Sequence, residues 1–195
     1  LCGVLFYIEG NASKYIIRIT RLCAINIVLA LSMNLVNGFT GIFSLGHAGF
    51  MAIGAYSVAL LTIPVAKKET IFMLEPLIAP LNTLTLPFGV ALIIGGLLAA
   101  ALAFLIGLPC LRLRGDYLAI ATLGFSEIIR IVITNAQCLT NGAQGLKSIP
   151  ATANIWWCYG IALATIIFIA LLISSSYGRA FKAIREDEIA AESMG

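Results

Sequence analysis

Residues 155–173 read IWWCYGIALATIIFIALLI, and a few residues later the chain continues GRAFKAIREDEIAAESMG at 178–195. The first stretch holds no charge, whereas seven of the eighteen residues in the second are charged: Arg179, Lys182, Arg185, Glu186, Asp187, Glu188 and Glu192. An uncharged run of this length matches the ~20 residues needed to cross a hydrocarbon core of ~30 Å. Trp156, Trp157 and Tyr159 open it as the aromatic belt of a membrane interface. The charged segment then reads as a helix outside the bilayer. Its pattern Ala190-Ala191-x-x-x-Gly195 puts small residues where another protein's surface can approach closely, and a solvated connector between spans is the other reading.

Composition extends this reading to the whole chain. Hydrophobic residues make up 61% and charged residues 11% of the sequence, with a mean hydropathy of +1.02, against ~45–50% and ~25% in soluble domains. The expected fold is all-α, a polytopic transmembrane helical bundle in a lipid bilayer. A net charge of +3 gives no reason to expect nucleic acid as a partner. Cys2, Cys23, Cys110, Cys138 and Cys158 form no C-x-x-C pair and imply no metal site. Leu1 to Ile8 read as the tail of an earlier apolar segment and Gly195 falls within a helical pattern, so the chain reads as a piece of a longer protein.

Three further spans are expected at 16–36, 87–108 and 117–134, with Pro109 ending the second and Asp116 capping the third. Gly95, Ala99, Ala103 and Gly107 recur every four residues as a packing face. Between the first two spans lies GFTGIFSLGHAGFMAIGAY, 38–56, whose glycines each weaken a helix by ~1 kcal/mol. The stretch runs on into the apolar SVALLTIPVA at 57–66; a continuous span is not expected to begin before about Leu45, and 38–49 reads as a broken segment. Such backbone is tolerated at membrane depth where protein or a water-filled cavity surrounds it, and in transporters it marks the substrate path. Residues 67–86 and 135–154 read as loops.

Basic residues orient the bundle. Arg112 and Arg114 should share the cytoplasmic side with Arg179, Lys182 and Arg185, which puts both loops outside. Lys14, Arg18 and Arg21 also ask for the cytoplasm, although alternation from Leu45 puts them outside. A break within the membrane at 38–49 would reconcile the two.

Few polar groups fall inside the apolar stretches. Ser44, Gly46 and His47 are candidates for the translocation path, and His47 equally suits a hydrogen bond tying one helix to another. Glu127 and Arg130, three apart on one helix face and about 15 Å into the span, form a candidate intramembrane ion pair. Structural pairing and a substrate site both remain open for them. The one histidine, the missing phosphate-cradling G-x-x-x-x-G-K-[ST] and the lack of a Ser/His/acid arrangement argue against an enzyme. No cofactor is expected.

GFTGIFSLGHAGFMAIGAY (38–56), LRLRGDYLAIATLGFSEIIRIV (111–132) and GRAFKAIREDEIAAESMG (178–195) closely resemble blocks of the branched-chain amino acid ABC transporter permeases, in particular the LivM-type membrane subunit. NGAQGLKSIP (141–150) resembles the loop between the last two. The resemblance implies that 1–195 is part of one permease domain, truncated at both ends. It also implies multi-pass insertion in the inner membrane of a bacterium or archaeon and ATP-driven uptake of branched-chain amino acids. The implied partners are a homologous second permease subunit, two ABC ATPase subunits that hydrolyse the ATP, and a soluble substrate-binding protein. Residues 178–195 correspond to the loop that docks on the ATPase, with Arg185, Glu188, Ala190, Ala191 and Gly195 as coupling candidates. Where the general importer loop has Glu before Ala-Ala, this chain has Ile189, with Glu188 one residue earlier. Urea, short amides or sugars are alternative cargoes, while a proton-coupled secondary transporter or a purely structural membrane subunit are the rival classes.

Overall fold

The computed structural model describes residues 10, 13–72, 82, 84–113, 115–146, 149–150 and 152–193. It is built from α-helices, with no strand among the described residues. Four helical stretches are long and apolar enough to cross a membrane: Lys14–Phe39, Phe88–Cys110, Asp116–Asn135 and Ile155–Ser174. A shorter apolar helix spans His47–Thr62. The chain is therefore a multi-pass helical membrane protein. In chain order we label α1 Lys14–Asn34, α2 His47–Thr62, α3 Val65–Ile71, α4 Phe88–Cys110, α5 Asp116–Asn135, α6 Gln137–Thr140, α7 Ile155–Ser174, α8 Ser176–Glu186 and α9 Glu188–Ser193. A π-helical turn, Leu35–Phe39, prolongs α1.

Leu97, Phe104, Leu105, Phe168 and Leu171 all point outward, while Ala24, Ala91 and Ala162 are buried. Small residues inside and large apolar ones outside is the pattern expected where lipid removes the hydrophobic drive between helices and close packing takes over. Two compact units result, one from Leu1–Phe43 with Ala153–Gly195, the other from Ser44–Thr152.

In the first unit α1 and α7 run in the same direction. Near their starts the Tyr159 hydroxyl donates to the Thr20 carbonyl at 3.3 Å. Past their ends Arg185 of α8 donates to the Gly38 carbonyl at 3.2 Å. Lys14, Arg18 and Arg21 thus occupy the end of this unit opposite Arg179, Lys182 and Arg185, and do not share a side with them as their charge alone suggests.

In the second unit α2 lies between α4 and α5. Towards α4, a Cβ at Gly95 would sit 2.6 Å from Val58 Cγ2 and 3.2 Å from the Gly54 carbonyl oxygen. Towards α5, a Cβ at Gly49 would sit 3.1 Å from Ser126 Cα. The packing face foreseen on α4 is used only in part, because a Cβ at Gly107 would meet nothing within 4 Å.

Several boundaries differ from those the sequence suggests. Pro109 lies inside α4, which closes one residue later at Cys110; lacking an N–H, the proline cannot donate to the carbonyl four residues back, and the helix ends beside it. Asp116 is the first helical residue and makes no side-chain cap, since Gly115 at φ 58° takes the cap position. Residues 135–154 are not a featureless loop: α6 and the 3-10 turn Gly142–Gln144 fold there around Asn141 at φ 59°. The Thr140 hydroxyl donates to the carbonyls of Ile133 and Ala136. Cys23, Cys110, Cys138 and Cys158 carry free thiols. Leu1–Ile8, Arg114 and most of 73–83 lie outside the described residues.

Lys68 explains why the basic residues after α2 are poor guides to topology. It is 1% exposed, and its ammonium donates to the Leu84 carbonyl at 2.7 Å. Together with the 2.9 Å bond from Leu86 N–H to the Leu61 carbonyl, it fastens the chain entering α4 to the end of α2. Burial pushes the Lys68 pKa down from its ordinary 10.5. The desolvation cost of its charge is present below the depressed value and is relieved as pH rises through it towards 10.5, so this corner gains stability on the alkaline side. Lys68→Ala removes a hydrogen bond from a charged donor and should cost about 1.5–3 kcal/mol. The check is thermal unfolding of the purified variant; an unchanged midpoint would show that the clasp is not stabilising.

Candidate functional site

Helical geometry fails between Phe39 and His47. The π-turn ends at Phe39, and no helix resumes until His47. Each side of the gap is anchored within its own unit. On the α2 side, Leu45 N–H donates to Thr122 Oγ1 at 3.1 Å, and that hydroxyl donates onward to the Ala119 carbonyl at 3.0 Å. Gly46 is buried, and a Cβ there would come 3.3 Å from the Thr122 carbonyl oxygen. Gly46 is therefore a packing contact on α5 rather than a piece of open space. Ser44 and His47 are half-buried beside it, and both take part in further interactions. Thr122, which holds this corner, has no sequence signature beyond being a hydroxyl within an apolar stretch.

On the α1 side, Gly41 has φ +70°, the left-handed region that side chains disfavour. A Cβ there would lie 2.7 Å from Arg185 Cγ and 3.4 Å from Arg185 Cα. With the Arg185–Gly38 hydrogen bond already described, α8 grips the backbone where the first helix ends. Glu186 steadies the guanidinium in turn, accepting from Arg185 Nη2 at 2.8 Å. Among the coupling candidates that the structure describes, Arg185 is the one joined to the glycine-rich break.

The charged segment is two helices rather than one. Asp187 is extended, φ −160° and ψ 112°, and its Oδ1 accepts from the N–H groups of Ile189 at 2.9 Å and Ala190 at 3.2 Å. This is N-capping by an Asp side chain, and the signal was present in the sequence as Asp immediately before Glu-Ile-Ala-Ala. Beyond the cap, Ile189 is 70% exposed and Ala190 is exposed beside it, with Ala191 half-buried. The tip is a small apolar surface. The Glu188 side chain and Gly195 lie outside the described residues.

Glu127 and Arg130 meet in a two-pronged ion pair, with Arg130 Nε to Glu127 Oε2 at 2.9 Å and Nη2 to Oε1 at 2.5 Å. Their side chains are nevertheless 50% and 69% exposed on this chain. The pair does not face a packed interior within the chain, contrary to the usual position of intramembrane charges. On a span it would face another chain, a lipid-depth water cavity or the interface. If pairing is what makes these charges tolerable, Glu127→Gln and Arg130→Gln should each lower the amount of inserted protein, and the double variant should recover part of it. A stable Glu127→Gln that loses only substrate affinity would instead make the pair a site.

Residues 15–195 match the family described as branched-chain amino acid transport system / permease component. The chain is 36% identical over 217 aligned positions to the high-affinity branched-chain amino acid transport system permease protein LivM of Escherichia coli, covering 94% of this chain and 47% of that protein. The Salmonella typhimurium protein of the same name is 35% identical with the same coverage. A probable LivM permease of Methanocaldococcus jannaschii is 25% identical over 86% of this chain and 56% of its own length. The chain spans about half the length of these curated relatives. No solved structure matches. The chain belongs to the branched-chain amino acid transport system permease family.

Proposed function

We propose that the chain is part of the membrane-spanning permease subunit of an ATP-driven ABC importer that carries branched-chain amino acids inward across the inner membrane of a bacterium or archaeon. Its partners in this reading are a homologous second permease subunit, two ABC ATPase subunits and a soluble substrate-binding protein. This chain is a transport subunit and not an enzyme, so ATP is hydrolysed on the ATPase subunits. The observation that carries the reading is the family match across 15–195, which includes the capped, apolar tip of α9.

The geometry supports a division of labour. Ile189, Ala190 and Ala191 offer the ATPase a small surface that comes close without a bulky side chain in the way. Asp187 fixes the direction of that tip through its two hydrogen bonds. Arg185, one turn back and bonded to Gly38, passes displacement of α8 to the backbone at the end of the first span. Further along the chain, Ser44, Gly46 and His47 lie at the start of α2, held by Thr122, so the path candidates follow in sequence the segment on which the coupling helix pulls.

The test is leucine uptake into proteoliposomes holding the full-length permease with its partner subunits. Uptake should need ATP on the ATPase side and persist when a protonophore collapses the proton gradient. Uptake that continues without the ATPase subunits, or that stops on uncoupling while ATP persists, would overturn the reading.

A further inference from the structure

The first helix carries three cations on one face. Lys14, Arg18 and Arg21 stand four and three residues apart, so they stack along α1. With Ile17 and Leu22 they line a surface groove of about 420 Å³. Neither ion pair seen among the described residues involves any of the three. Arg21 Nε is closed off from solvent and has no hydrogen-bond acceptor among the described residues. A guanidinium N–H withdrawn from water without an acceptor is costly, so the groove calls for an anion.

Depth indicates which anion. Tyr159 meets Thr20, next to Arg21, and Trp156 and Trp157 are partly exposed at the same end of α7. Such aromatics sit at the level of the lipid headgroups. Arg21 then lies at the lower edge of the polar layer, with Lys14 about 10 Å further out along the helix at 1.5 Å per residue. A polar layer of roughly 5–7 Å on each side of the hydrocarbon core covers most of that distance. A soluble anion or an acidic protein surface reaches Lys14, but Arg21 lies beside Ile17 and Leu22 where acyl chains begin. Cations at both ends of this unit also exceed what cytoplasmic placement of basic residues accounts for, since only one end can face the cytoplasm.

We propose that Lys14, Arg18 and Arg21 hold the phosphate headgroup of an anionic phospholipid, with its acyl chain running along Ile17 and Leu22. The phosphodiester supplies the acceptor that Arg21 Nε lacks, and the two guanidinium groups bind it by charge-assisted hydrogen bonds. The inference does not depend on which amino acid or other solute the transporter carries.

The experiment uses the full-length permease in its native assembly. Phospholipid retained through detergent washing is extracted and quantified for the natural protein, for Arg18→Gln/Arg21→Gln, for Arg18→Lys/Arg21→Lys, and for Lys67→Gln as an exposed cation elsewhere. Retained anionic phospholipid should fall several-fold in the glutamine pair and stay near the natural level in the lysine pair and in Lys67→Gln. Zwitterionic lipid should not change. Rebinding from phosphatidylcholine vesicles containing phosphatidylglycerol should restore the lost lipid to the natural protein after delipidation, and millimolar inorganic phosphate should not displace it. Equal retention by the glutamine pair overturns the proposal. Displacement by inorganic phosphate would make the groove a free-phosphate site, and weakened docking of the soluble binding protein at unchanged lipid content would make it a protein contact; both also overturn it. Should the glutamine pair fail to assemble, the natural protein decides: no preference for phosphatidylglycerol over phosphatidylcholine sinks the idea.

Discussion

A leucine at Gly95 should abolish recovery of folded permease, while a leucine at the neighbouring Gly96 should not. A Cβ at Gly95 already enters the space of Val58 Cγ2 and approaches the Gly54 carbonyl, whereas one at Gly96 meets nothing within 4 Å. Val58 is β-branched and has little freedom to turn aside. Nor can α2 retreat, because its opposite side is pressed against Ser126 and Ile129 through Gly49. Overpacking of an ordinary core costs about 1–3 kcal/mol, and a whole leucine at a helix-on-helix contact lies at or beyond the top of that range. The measurement is the yield of monodisperse protein after extraction. Equal yields for the two leucine variants would show that α2 and α4 are not packed through Gly95.

If the importer reading proposed above holds, valine at Gly41 should leave the permease assembled with an ATPase partner and without ATP-coupled uptake. The substitution is unfavourable twice over. A left-handed backbone on a residue other than glycine costs about 1–3 kcal/mol, and a β-branched one is among the worst placed there. The new side chain also strikes Arg185, 2.7 Å from its Cγ, and pushes α8 off the Gly38 carbonyl. The change is confined to the contact between the coupling segment and the end of the first span, so insertion of the spans survives it. Arg185→Gln should act in the same direction with a smaller loss, because the close approach remains and only the hydrogen bond and charge are gone. ATPase activity and uptake are measured on the same preparation. Full uptake by well-assembled Gly41→Val would show that this contact transmits nothing.

How much of this was legible beforehand depended on whether the decisive interaction was local. The four spans follow from length and apolarity, and their ends fall within a few residues of expectation. The helix-free stretch from Thr40 to Gly46 falls within the glycine-rich run, although Gly54 and Gly95 show that a glycine alone does not end a helix. The Glu127–Arg130 contact was likewise written in its three-residue spacing; what the pair faces was not, because that depends on neighbours the spacing does not name. Asp116 and Asp187 show the limit from the other direction. Both precede a helix, yet only Asp187 caps, because Gly115 can take a positive φ and moves the start of α5 onto Asp116. Gly46 reads as open space in a glycine-rich run and is in fact a contact on Thr122, since a missing side chain serves a channel and a tight crossing equally well. Lys68 falls in a stretch that reads as a loop and is nevertheless buried, with a backbone carbonyl sixteen residues away as its acceptor. The direction of α1 relative to α7 rests on two bonds across more than a hundred residues, which no pattern along the chain encodes.

The most direct test of the coupling role is ATP hydrolysis and leucine uptake recorded together for Ala191→Arg in the reconstituted assembly. Ala191 is half-buried on the short helix that Asp187 caps, beside the exposed Ile189 and Ala190. An arginine there holds a docked surface away by the length of a long cationic side chain while leaving the membrane spans untouched. The account predicts normal insertion, continued hydrolysis by any ATPase that remains bound, and loss of uptake. Uptake at the natural rate by a well-expressed Ala191→Arg variant would contradict it.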